Sequence, residues 1–173
     1  MRFRSVWTFV SLYVALVKPI LMYASQIWSP SVQGLSKKLE SVQHLFLRMA
    51  SWKTDFALSQ FDHDYSHISK YLGICSLQSN RKFSHLMFLF KLLNGFIDCP
   101  DLVKLVNFHV PGRVLRRSGL LFSSSHDYDN YRNLSPIVRL SFLGNSCHES
   151  CDLFGVPISQ FKIQARNELF EFL

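Results

Sequence analysis

The stretch SLQSNRKFSHLMFLFKLLNG, residues 76–95, carries the clearest structural pattern in the chain. Ser76 offers a side-chain oxygen to the unpaired N–H groups that open a helix. Asn94-Gly95 offers the left-handed backbone that commonly closes one. Between them Leu86, Leu89, Phe90 and Leu93 recur at spacings of three and four, one apolar stripe broadened by Phe83, Met87 and Leu92. Arg81, Lys82 and Lys91 fall outside the stripe. A helix is therefore expected over 76–93, and an all-α fold around it.

Towards the N-terminus, Tyr65 to Leu72 predicts a short helix that stops at Gly73, and residues 53–64 form a connector without periodicity. Before it lies an amphipathic helix with Leu35, Leu39, Val42, Phe46 and Met49 on its apolar face and Ser31 as a cap. Earlier still, Arg2 and Arg4 precede an uncharged apolar run from Val6 to Val17 that continues through LVKPILMYASQIWSP, residues 16–30. Such a front end resembles an export signal in its charge and length, but the small-residue cleavage pattern is poor around Ala24-Ser25. Lys18-Pro19 interrupts the run short of the ~20 residues that a bilayer requires. The reading preferred here is a deeply buried helix, apolar nearly all round. A secreted or membrane-tethered helical protein is the competing one.

Towards the C-terminus, Asp98-Cys99-Pro100 opens a two-turn helix expected to reach Val106. VPGRVLRRSG, residues 110–119, is a basic loop or short strand, and residues 119–135 are an extended, polar connection. Ser135-Pro136 opens a helix over Ile137 to Leu143. A last helix runs from Pro157 to about Phe170, with Ile158, Phe161, Ala165 and Leu169 on one face. The expected fold class is all-α: an irregular helical bundle with a basic loop region. Its parts are a helical region 1–107, a basic irregular connection 108–135 and a C-terminal helical segment 136–173.

Composition narrows the function. An apolar fraction of 48% with sixteen phenylalanines excludes a disordered chain. The net charge of +7 is uneven: residues 1–120 hold fifteen Lys or Arg against six Asp or Glu, and residues 121–173 hold four against six. A basic body suits contact with a polyanion. Four cysteines are too few for a disulfide scaffold and fit a reducing compartment.

No catalytic constellation stands out. Asp62-His63-Asp64 and Asp127-Tyr128-Asp129 pair carboxylates as divalent-metal sites do, but both fall in connectors, where Asp serves turns. Cys147-His148-x-x-Cys151 lacks a second ligand pair to complete a zinc site. Asn133-Leu134-Ser135 is a glycosylation-type triplet of little weight. Phosphate loops, nucleophile elbows and zinc-protease helices are absent. The candidate nucleic-acid-binding residues are Lys37, Lys38, Arg48, Arg81, Lys82, Lys91, Arg113, Arg116 and Arg117, interleaved with Trp52, Phe83 and Phe108. They could neutralise phosphates without reading sequence.

The order of motifs adds a resemblance. LYVALVKPILMYASQIWSP, LESVQHLFLRM, YLGICSLQSNRKFSHLMFLFKLLNGFIDCPDL, VPGRVLRRSGLLF, NYRNLSPIVRLSFLGN and DLFGVPISQFK follow one another as in the C-terminal region of jockey-like non-LTR retrotransposon reverse transcriptases. The resemblance spans about Leu12 to Lys162. It implies a fragment of a larger polymerase, the helical part behind the palm and thumb, and a cytoplasmic and nuclear location without a membrane. Residues 12–28 would then pack against missing palm and thumb parts of the parent. Two departures stand out: Met22 where the family usually has an acid, and His44 after Gln43 where it usually has arginine. The Tyr-x-Asp-Asp carboxylates that hold the parent's two Mg2+ ions are missing from these residues. The chain alone is therefore not expected to polymerise or to hold a cofactor. Its implied partners are RNA or DNA and the rest of the parent, and a domesticated nucleic-acid-binding module is the alternative.

Overall fold

The structure is a computed structural model that describes residues 5–30, 32–54, 64–110, 120–123 and 135–170. Among these the chain is all-helical. α1 (Val6–Leu12) runs through a π-helical turn, Tyr13–Val17, into α2 (Lys18–Met22), and α3 (Ser25–Trp28) follows. Then come α4 (Gln33–Ser51), α5 (Ser66–Leu72), α6 (Leu77–Leu93), α7 (Pro100–Lys104), α8 (Pro136–Cys147) and α9 (Ile158–Leu169). An isolated antiparallel bridge joins Phe108 to Phe122. No described helix is long and apolar enough to cross a membrane.

The chain forms two compact helical units: the division falls inside α6, between Arg81 and Lys82, and Gln26–Trp28 of α3 belong with the second unit. The expected parts, 1–107, 108–135 and 136–173, follow composition, whereas these units follow contacts. In the first unit Tyr13, Phe46, Leu47, Ala50, Ile68, Leu72 and Ile74 make the core. Phe46 stacks between Tyr13, at a ring separation of 4.0 Å, and Phe9, at 5.0 Å. The polar Gln43 is buried beside them. Its Oε1 accepts from the Tyr13 hydroxyl and its Nε2 donates to the Cys75 carbonyl, both at 3.1 Å. That satisfaction is what makes burial of an amide tolerable.

α6 opens as expected. The Ser79 N–H donates to Ser76 Oγ at 3.0 Å. A second cap comes from α4: the Glu40 carboxylate accepts from the N–H groups of Leu77 and Gln78, at 3.2 and 2.7 Å. A carboxylate there also meets the positive end of the helix dipole. α6 closes at Asn94-Gly95, with Gly95 at φ +72°.

Two expectations change in this unit. The apolar front end is not deeply buried: Leu16, Ile20 and Tyr23 are 61%, 76% and 79% exposed. Among the described residues its Val6–Phe9–Val10–Tyr13 side packs on the core that α4 shares. Nor is it one helix through residue 28. The Lys18 N–H bonds five residues back to Tyr13, a wide turn that accommodates Pro19, whose ring cannot donate and crowds the preceding turn. The helix stops at Met22, and Ala24 takes a left-handed conformation, φ +48°. On α4 the buried face is Gln43, Phe46, Leu47 and Ala50, while Leu35, Val42 and Met49 are exposed. The expected stripe marks the middle of a wide apolar arc, and α1 and α5 cover only one side of it.

In the second unit α6 supplies Leu86, Leu89, Phe90 and Leu92 to a core shared with Phe122, Leu140, Cys147, Leu153 and Phe161. Phe90 and Phe161 stack at 4.1 Å. Asn94 Nδ2 donates to the carbonyls of Phe90 and Leu153. Phe122 is fully buried, and the Asn145 side chain pairs with its backbone as a neighbouring strand would: Phe122 N–H to Oδ1 and Nδ2 to the Phe122 carbonyl, both 2.9 Å. The Arg139 guanidinium donates to the Gln26 and Ile27 carbonyls, at 3.1 and 2.8 Å. α7 ends at Lys104, short of the expected Val106, and α8 runs to Cys147, beyond the expected Leu143. α9 buries Phe161 and Ala165 on the expected face.

Candidate nucleic-acid interface

At 3.6 residues per turn, positions eleven apart on a helix return to within about 20° of one another. Lys37 and Arg48 of α4 are eleven apart, and Ser41 and His44 lie between them at spacings of four and three. These four side chains therefore form one polar row about 16 Å long. Lys37 is exposed and Arg48 half-buried. Arg48, His44 and Ser41 line a surface groove of about 380 Å³ together with Leu45 and Tyr65. The His44 and Tyr65 rings stack at 4.5 Å, 18° from parallel. Arg48 Nε has no hydrogen-bond partner among the described residues. A cation beside a flat ring pair is the arrangement that single-stranded nucleic acid favours, with phosphate on the cation and a base on the rings.

The other sequence candidates divide. Lys38 is exposed on α4, about 80–100° round the helix from the Lys37–Arg48 row. Arg81 is only 3% exposed, and its guanidinium donates to Ser36 Oγ at 3.1 Å. Burial lowers its pKa, opposed by the nearby Glu40 carboxylate. Arg81 thus presents no charge to solvent, its guanidinium being turned onto Ser36 of α4. Lys82 and Lys91 are exposed but nine residues apart on α6, which places them on opposite sides of that helix. Arg113, Arg116 and Arg117 lie outside the described residues. Of the aromatics, Trp52 is exposed and Phe108 packs on Phe122 and Phe154. Phe83 packs beneath Phe170 and the Arg166 guanidinium.

Sequence reasoning missed His44 and Tyr65 as site residues. The Lys37–Arg48 spacing was a usable signal for the row. The stacking of Tyr65 on it was not, because the two rings are 21 positions apart in the chain.

The remaining motifs have structural settings. Cys147 and Cys151 are buried in the second core, and burial pushes both thiols up, Cys151 to about 11. His148 Nδ1 lies 2.7 Å from the Asn145 carbonyl. Among the described residues no three His, Cys, Asp or Glu come together as a metal ion would need. Asp62-His63 and Asp127-Tyr128-Asp129 lie outside the described residues, as does the Ser31 cap. Asp64 accepts from the Ser66 hydroxyl and, at 2.9 Å, from the Ser66 N–H, a turn role in which both bonds lower its pKa. No protein-family model, no curated protein and no solved structure matches this chain.

Proposed function

We propose that the chain is the C-terminal region, behind palm and thumb, of a jockey-like non-LTR reverse transcriptase, and that it contributes template or primer contact rather than catalysis. The ordered motif series supports the assignment. The observation that carries the nucleic-acid role is the α4 row, where Lys37, His44 and Arg48 share one face beside the stacked Tyr65 ring. The exposed Leu16, Ile20 and Tyr23 fit a helix whose covering lies elsewhere in a parent protein. RNA-directed DNA synthesis, with Mg2+ held by palm carboxylates, belongs in this reading to the parent. The same α4 row favours, as a second reading, a domesticated module that keeps nucleic-acid affinity as a free protein.

The test is fluorescence anisotropy with a labelled single-stranded RNA and an RNA–DNA hybrid across a salt series. With about three phosphate contacts on a single strand, affinity should fall roughly tenfold or more between 50 and 200 mM salt. Lys37→Glu/Arg48→Glu should weaken binding and flatten the salt slope, whereas Lys82→Glu/Lys91→Glu should change it less. Absent or salt-insensitive binding would overturn the role.

A further inference from the structure

α4 has a second face that the described residues of the first unit leave uncovered. Leu35, Val42, Leu45, Met49 and Trp52 are all exposed and follow one another at spacings of seven, three, four and three. That is the a/d rhythm of a helix that seats another helix along its length. The stripe is about 80–100° wide and runs about 25 Å, nearly five turns. It is continuous with the buried face, so the apolar arc of α4 covers more than half its circumference. We propose that this stripe is the docking surface for an acidic amphipathic helix carried by a separate protein.

Charge selects that occupant. Lys38 occupies the d-type position between Leu35 and Val42, in the middle of the stripe. Lys37 and Arg48 run along one edge. The sole acid of α4, Glu40, is engaged at the N-terminus of α6. A second copy would bring the same cations to the same seam on a chain of net charge +7, and like charges oppose such pairing. An apolar stripe flanked by Glu or Asp complements it. Trp52, 68% exposed at one end, is the residue type that most often anchors an interface. A single helix on five turns buries less than the ~800 Å² per partner of standard complexes, so micromolar affinity is expected. The stripe lies beside the polar row, and the docking does not depend on nucleic-acid binding.

The probe is a fluorescein-labelled synthetic peptide of three heptads with Leu at a and d and Glu at e and g. Its twin carries Lys in place of Glu. Both are titrated with the full chain at physiological salt. The Glu peptide should bind with micromolar Kd and the Lys twin at least tenfold more weakly. Val42→Ser/Met49→Ser, which preserves charge and spares the groove lining, should cost at least tenfold in affinity and leave RNA binding unchanged. Trp52→Ala, at an exposed site, should weaken binding severalfold and serves should the double variant fail to fold. Equal binding of both peptides, no binding, or undiminished binding by Val42→Ser/Met49→Ser and Trp52→Ala would overturn the proposal. So would a concentration-dependent dimer in sedimentation equilibrium that the same substitutions abolish, which would assign the stripe to a second copy. Stripe-dependent binding to phosphatidylserine vesicles without peptide binding would assign it to a membrane and equally overturn it.

Discussion

Gly144→Ala puts a methyl group into a space that is already filled. A Cβ at that position of α8 would lie 2.6 Å from the Cε2 ring carbon of Phe122 and 2.9 Å from Cδ2 of Leu89. Carbon atoms in contact normally sit 3.5–4.0 Å apart. Phe122 cannot retreat easily, since its ring is fully buried and its backbone is held on both sides by the Asn145 amide. Two effects oppose each other. Alanine in a helix gains about 1 kcal/mol over glycine, and overpacking of a tight core costs about 1–3 kcal/mol. Contact with a rigid ring at this distance belongs at the upper end, so the net loss should be about 1–2 kcal/mol. For a chain of this size that lowers Tm by roughly 3–6 °C. Urea unfolding followed by circular dichroism at 222 nm should be run on wild type, Gly144→Ala, Phe122→Leu and the double variant. Once the ring is gone the alanine should be neutral or stabilising, a coupling of about 1 kcal/mol or more. A Gly144→Ala protein more stable than wild type, or the same cost in both backgrounds, would refute the packing argument.

Three further outcomes are expected. Glu40→Ala removes the second cap of α6 and should cost about 1–2 kcal/mol in urea unfolding; Glu40→Gln, still an acceptor, should cost less, and unchanged stability in Glu40→Ala would deny the carboxylate its role. Tyr13 has its phenol pushed up to about 12, by burial first and then by the nearby Glu40 carboxylate. The folded state therefore holds that proton more tightly than the unfolded chain, so stability present below pH 10 is lost as pH rises from 10 towards 12. Tyr13→Phe should show a flatter alkaline limb than wild type in pH-dependent unfolding, and identical limbs would contradict the buried Tyr13–Gln43 pair. Cys147 and Cys151, buried with raised pKa, should resist alkylation at pH 8 until the protein unfolds, while half-buried Cys75 and Cys99 react first; mass spectrometry of N-ethylmaleimide adducts decides it.

How much of this was legible beforehand varies with how local the cause is. α6 was readable to the residue because cap, stripe and stop agree within twenty positions: Ser76 accepts from Ser79, and Gly95 takes the left-handed turn. α5 closed by Gly73, and the Phe161–Ala165 face of α9, were readable for the same reason. The facing of α4 was not. Its apolar arc is wider than its neighbours cover, and which half is buried depends on Tyr13 and Ile68, far off in sequence. Polar residues in the interior were invisible too. Gln43 is tolerated by a hydroxyl thirty residues away, and Arg81 reaches Ser36, forty-five residues away, with its Nη1 left without a partner among the described residues. Phe122 read as part of a polar connection, yet it is a core residue because Asn145 holds its backbone. In the candidate site the spacing of Lys37 and Arg48 was legible and the Tyr65 ring was not.

The central claim, that the chain belongs behind the palm of a polymerase, is tested most directly by sequencing the transcript and locus upstream of Met1. The expected result is an open reading frame continuous with Met1 that carries a palm with a Tyr-x-Asp-Asp motif. Stop codons, or coding sequence unrelated to a polymerase in that position, would contradict it.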